Sequence, residues 1–185
     1  NARVMVLDNT GATTRSFGGS DLSWPSDVIL GPDGNLYVSD EGWDKIFVYK
    51  KDGTLLRSFG TSGNADGQLY SPSKLNFDNN GNLLIVNTYG TLKIQRFDIN
   101  GNFLGRVAPQ IANPQALGVD KNGNLYVGHD VSNISKLTPD GTTELFQIGG
   151  DGSGERPAAL VIERRQHVQI VRRNRRVHLA GERLD

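Results

Sequence analysis

The sequence predicts an all-β fold made of repeated four-stranded antiparallel units, and three observations carry that expectation. The first is repetition: "PSDVILGPDGNLYVSD" from Pro25, "PSKLNFDNNGNLLIVN" from Pro72, "PQALGVDKNGNLYVGHD" from Pro114 and the shorter "PAALVIE" from Pro157 begin at prolines 47, 42 and 43 residues apart. Periods of this size belong to propellers and solenoids. The second is alternation, as in Leu36 and Val38 or Ile46 and Val48, where apolar residues recur at the two-residue period of strands, with no amphipathic helical segment in the first 160 residues. The third is turn chemistry, since Asp33-Gly34 and Asp52-Gly53 supply the positive φ of tight hairpins. Four short antiparallel strands in each period make one blade of a β-propeller.

In chain order, residues 1–18 match only the third and fourth strands of a unit. The next unit, 25–60, is expected to form strands at 27–31, 36–40, 45–51 and 55–59, and units 72–107 and 114–149 repeat it, with a short third strand at 134–137. Residues 157–163 begin a further unit. Gly34, Gly81 and Gly123 each follow Asp or Asn in a hairpin and are expected at positive φ. About four units are visible, and the propeller they form is expected to be incomplete.

Composition narrows the function. The chain has 185 residues, 36% of them apolar, with 23 glycines and no run of the length a membrane span needs. It has no cysteine, which excludes disulfides, thiolate zinc sites and a cysteine nucleophile. The formal net charge of zero hides a split: up to Glu155 there are 12 Lys and Arg against 17 Asp and Glu, and from Arg156 onward 8 against 3.

The stretch "DGNLYVSDEGWDKIFVYKKDGTLLRSFG" at 33–60, with its partial copies, resembles the NHL repeat, in which Pro and an apolar strand precede Asp-x-x-Gly-Asn-Leu-Tyr-Val, an "IxVY" strand, Asp-Gly and "LxxSFG". The resemblance covers residues 1 to about 163 and implies a propeller. NHL propellers usually have six blades, which at this period needs roughly 260 residues. Some NHL propellers bind nucleic acid through a basic face, a role the acidic body of this chain disfavours.

After Glu163 the repeat gives way to "RRQHVQIVRRNRRVHLAGERLD". One reading is a basic tail that meets phosphate-rich polymers or an acidic partner. Another is a solvated strand pair, since 167–171 alternates. The third is a frameshift near Arg164, because the codons available to residues 165–168 can encode Gly-Asn-Met and the start of Tyr in a shifted frame. Without closure, the half units at the two ends are expected to expose strand edges and to self-associate.

Chemistry is sparse. His129 lies within a recognisable blade and stands alone there, so a zinc site is not expected. Asp40, Asn87 and Asp130 follow the second strand in similar places, where they line a ligand or calcium site or, more often, cap a turn. Trp43 and Tyr89 sit on corresponding loops, with Trp24 and Tyr70 just before the repeat prolines, and exposed aromatics on one rim suit recognition of a glycan or peptide. "GTSGNADGQ" at 60–68 lacks the Lys of a phosphate loop, no Ser, His and acid triad follows from residue order, and Asn133-Ile134-Ser135 is a sequon that matters only in an exported chain.

The expected function is therefore noncatalytic: a binding scaffold that recognises a protein or glycan through Asp40, Trp43, Asn87, Tyr89, His129 and Asp130, without a cofactor. The alternative is an enzyme resembling the propeller lyases and lactonases, with a divalent cation in the channel. An extracellular or periplasmic location is expected, although no signal peptide is visible in the chain.

Overall fold

A computed structural model describes residues 2–91, 93–130, 132–149 and 169–171. Among them are only strands, turns and loops, arranged as four antiparallel sheets. The N-terminal sheet holds β1 (Arg3–Leu7) and β2 (Thr13–Phe17). The first full blade is β3 (Pro25–Leu30), β4 (Leu36–Asp40), β5 (Lys45–Tyr49) and β6 (Leu55–Phe59). The second is β7 (Pro72–Phe77), β8 (Leu83–Asn87), β9 (Ile94–Phe97) and β10 (Phe103–Arg106). The third is β11 (Pro114–Val119), β12 (Leu125–His129), β13 (Asn133–Leu137) and β14 (Glu144–Ile148). Each full blade pairs its strands in sequence order. A short β15 (Gln169–Val171) joins the N-terminal sheet.

The recurring Asp-x-x-Gly-Asn motif builds the turn between the first two strands of a blade. Asp78 Oδ1 accepts the backbone N–H groups of Asn80 at 3.0 Å and Asn82 at 2.9 Å, and Oδ2 accepts the Asn82 side-chain amide at 3.1 Å. Asp120 repeats this with Asn122 and Asn124, and Asp98 repeats it with Asn100 and Asn102 in an outer hairpin. In the first blade Gly31 stands where the later blades have Asp, and Asp33 holds Asn35 instead. Gly34, Gly81 and Gly123 lie at φ of 78°, 80° and 85°, the left-handed region their turns require.

These cradles make acid the weak point of the fold. The Thr138 hydroxyl, then the Thr142 N–H, holds the Asp140 carboxyl down at about 2, and the Thr10 hydroxyl lowers Asp8. At Asp98 and Asp120 partial burial is the largest single influence and pushes upward, but the Asn102 and Asn124 side-chain amides together with the backbone N–H groups of each turn outweigh it. A carboxyl depressed in the folded state stabilises above its unfolded value and loses that contribution as pH falls through the folded value. The melting temperature should therefore hold from pH 7 to about 5 and drop progressively from about 4 toward 2. Melts by circular dichroism across that range check this, and a curve flat to pH 2 would refute it.

Neighbouring blades lock through glycine. A Cβ placed on Gly53 would lie 2.9 Å from Phe17 Cβ, on Gly101 2.5 Å from Phe59 Cγ, and on Gly141 2.6 Å from Val107 Cγ1. At the end of each unit's last strand, or just after it in the case of Val107, an apolar residue is thus seated on the outer hairpin of the next unit. The Arg57 guanidinium and the Tyr37 hydroxyl both donate to the Ile99 carbonyl, and Arg96 Nη2 donates to Pro139 O at 2.7 Å, tying the same hairpins from the blade before.

Three apolar clusters fill the seams. One joins Val4 and Phe17 to Leu36, Val38, Phe47 and Tyr49. A second joins Tyr37, Ile46 and Val48 to Leu75, Leu83, Ile85 and Phe97, and a third joins Leu84, Val86 and Ile94 to Leu125, Val127 and Leu137. Covered on both faces, β4 and β8 are buried at every residue, whereas β12 alternates, with Tyr126 and Gly128 only partly covered. Among the described residues no cluster joins the third full blade to the N-terminal sheet, so the described array is a partial propeller.

The expectation that β1 would keep a bare edge needs correction. β15 pairs with it antiparallel, Arg3 with Val171, Val4 with Ile170 and Met5 with Gln169. Backbone pairing needs extended chain rather than a repeat motif, and the alternating residues around 170 supply it. The remaining tail and the strand begun at 157–163 lie outside the described residues.

Candidate functional site

β3 and β7 begin, and β4 and β8 finish, at one end of the blades, which also carries the loops from second to third strand and the connections between blades. All six residues singled out by the sequence lie at this loop end, but the structure gives them different work.

Asp40 is fully buried at the end of β4. Its carboxylate accepts the backbone N–H groups of Ser23 at 2.8 Å, Trp24 at 3.0 Å, Gly42 at 3.0 Å and Trp43 at 3.0 Å. Four donors converge because the connection into β3 and the loop out of β4 both turn around this side chain. Asn87 occupies the same register opposite the repeat proline, Pro72, and accepts the Tyr70 N–H at 3.1 Å. Both side chains hold loops in place and present no carboxylate or amide to solvent.

In the third blade the register differs from the sequence alignment by one residue. His129, not Asp130, pairs with Pro114 as Asp40 pairs with Pro25. Asp130 follows at φ 51°, with its carboxylate partly exposed. His129 Nδ1 lies 3.0 Å from Asp130 Oδ2 and its Nε2 lies 2.8 Å from Ser135 Oγ, which also reaches Glu144 Oε1 at 3.3 Å. Folding thus assembles a Ser, His and Asp row that residue order does not reveal. Ser135 is 0% exposed, however, so its hydroxyl meets no substrate in this arrangement.

What the loop end offers to a ligand is aromatic. Trp24, Trp43, Tyr70 and Tyr89 are exposed by 57%, 55%, 42% and 60%. Tyr70 and Tyr89, on two segments that Asn87 draws together, form a tilted pair with ring centroids 6.0 Å apart. Trp43 projects from the loop held by Asp40, three residues after it, and Tyr89 lies two residues after Asn87.

Sequence reading missed Glu41 and Asp44. Glu41 accepts hydrogen bonds from the Ser26 and Ser71 hydroxyls, and Asp44 accepts the Ser71 N–H and the Ser62 hydroxyl, each at 2.6 Å. Together they clasp the first blade's loop to the entry of the second. Positive φ at both Asp44 and Ser71 marks the strained backbone this requires, which no local motif announces.

Among the described residues, neither of two open clefts is lined by the six singled-out residues. One of about 230 Å³ lies between Asn64, Thr91, Lys93 and Arg106, and one of about 380 Å³ lies at the hairpin end between Pro32, Asn80, Asp98 and Ile99. Among the described residues no three His, Asp or Glu side chains converge as metal ligands would, and no helix is long and apolar enough to cross a membrane.

No family model and no curated protein matches the chain. Solved structures do. Virginiamycin B lyase from Staphylococcus aureus is 20% identical with a TM-score of 0.61, over 77% of this chain and 47% of that one. A candidate gluconolactonase is 28% identical with a TM-score of 0.54, over 69% of this chain and 48% of that one. The extracellular domain of a candidate hybrid two-component system from B. thetaiotaomicron is 18% identical with a TM-score of 0.56, over 82% of this chain and 20% of that one. The chain spans about half the length of the lyase and of the gluconolactonase candidate. What these likenesses share with the sheets described above is the fold, a β-propeller of four-stranded antiparallel blades, of which this chain supplies a part.

Proposed function

We propose that the chain is a recognition module whose loop end binds a glycan or a peptide segment of a protein partner. The observation that carries this is the exposure of four large aromatics, Trp24, Trp43, Tyr70 and Tyr89, at one end of two adjacent blades. Flat rings with a polar edge stack on sugar faces and on peptide side chains with little entropy to lose. Asp40 and Asn87 position the loops beneath them, and Asp130, with His129 behind it, adds an acceptor at the rim. The extracellular domain among the similar structures supports an extracellular or periplasmic setting.

Glycan arrays and peptide display, followed by titration of tryptophan fluorescence, test the reading. Trp43→Ala should weaken binding of the selected ligand by about tenfold or more, and Tyr89→Ala by a similar factor. Binding unchanged in both variants would reject the aromatic face as the site.

The likeness to the gluconolactonase candidate favours a second reading, a metal-assisted lyase or lactonase. Elemental analysis of purified protein and melts with and without a chelator separate the two. Stoichiometric metal whose removal lowers the melting temperature would favour the enzyme.

A further inference from the structure

Each seam inside the chain is made by the same two surfaces, a trailing face on one unit and a leading face on the next. In the first blade the trailing face is Tyr37, Ile46, Val48 and Phe59, packed on the second blade, and the leading face includes Phe47 and Tyr49, packed on the N-terminal sheet. Register identifies the counterparts at the two ends of the array. Ile46 pairs with Phe59 as Ile134 pairs with Ile148, and Val4 pairs with Phe17 in the N-terminal sheet. The counterparts of Tyr37, Ile46 and Phe59 are thus Tyr126, Ile134 and Ile148; Tyr126 and Ile134 are only partly covered where Tyr37 and Ile46 are fully buried, and Ile148 is half-buried as Phe59 is in its seam. Met5 and Leu7, the counterparts of buried Phe47 and Tyr49, are also only partly covered. Gly11, which corresponds to Gly53, Gly101 and Gly141, has no described atom within 4 Å of its Cβ position.

We propose that these two faces bind each other between two copies of this chain, head to tail, with Ile148 of one copy seated on the Gly11 hairpin of the other. The partner is a second copy because the two faces are already the halves of an interface that the chain forms three times internally. Lys136 occupies the register place of Arg96, which donates to the following hairpin at Pro139, so its ammonium meets the corresponding Asn9 carbonyl. Closure of the same contact in both directions gives a two-membered ring rather than a filament.

Sedimentation velocity over a range of concentrations is expected to show a dimer, and Ile148→Asp should raise its dissociation constant by about tenfold or more. The chain has no cysteine of its own, so cross-linking is clean. A Gly11→Cys chain mixed with an Ile148→Cys chain should form a disulfide-linked pair that neither forms alone. If Gly11→Cys fails to fold, Ile148→Asp decides by itself, because Ile148 lies on a partly exposed edge. A monomer at every concentration would overturn the proposal, as would dimers insensitive to Ile148→Asp. So would a chain carrying both cysteines that closes only on itself, since the ring would then be complete within one copy.

Discussion

Asp40→Ala is expected to destabilise the chain by about 3–5 kcal/mol, the largest loss from any single side chain at the loop end. The carboxylate is fully buried and accepts four backbone N–H groups from two segments. Truncation leaves those donors facing the space of a fully buried side chain, and each unsatisfied group that water does not reach costs about 1–3 kcal/mol. Relaxation of the loop recovers part of the sum. Asp40→Asn should cost about 1–2 kcal/mol, since an amide oxygen keeps some of the bonds while its NH₂ faces donors. The second blade uses Asn87 in that very register. Urea titrations of the two variants measure both values. A loss below about 1 kcal/mol for the alanine variant would show that the cage is not what holds the loop. Because the same cage carries Trp43, Asp40→Ala should also weaken any ligand that Trp43 binds.

Gly101→Val is expected to cost about 3 kcal/mol, against about 1 kcal/mol for Gly34→Val. Both glycines lie at positive φ, 92° and 78°, where a side chain is strained by about 1–2 kcal/mol. They differ in what surrounds them. A Cβ at Gly101 meets the Phe59 ring at 2.5 and 2.7 Å and its Cβ at 2.9 Å, while at Gly34 nothing lies within 4 Å. Valine at 101 therefore adds overpacking to strain and prises the first blade from the second. Equal costs would mean that the seam does not depend on this seat. Phe59→Ala in the Gly101→Val background offers a further check, because removing the ring should relieve part of the valine's penalty.

The two glycines also show why legibility varied along the chain. "DGN" at 33–35 and "NGN" at 100–102 look alike, and both make hairpins held by an Asp within four residues. Such hydrogen bonds are local, so a motif of a few residues is enough to specify them. That one turn is a seat for the preceding blade and the other is open follows from packing between residues some 40 positions apart, which no short pattern contains. The candidate site divides in the same way. Trp43 and Tyr89 were legible as loop aromatics because they fall at corresponding places after the second strand of successive units, each next to a glycine. Glu41 and Asp44 were not, because their partners Ser62 and Ser71 lie in the next connection.

By itself the sequence determined the all-β class, the four-stranded units, the strands at 36–40 and 55–59, and the left-handed glycines, because each rests on period-two alternation or on a turn closed within a few residues. Only the tertiary structure decided that Asp40 and Asn87 brace loops, that His129 rather than Asp130 stands in their register, and that Ser135 lies buried behind the imidazole. The tertiary structure also decided that β15 covers the edge of β1 while Tyr126, Ile134 and Ile148 stay partly open. The reason is physical: a strand's faces alternate by themselves, but what covers each face depends on the neighbouring blade and on the register at which the backbones pair.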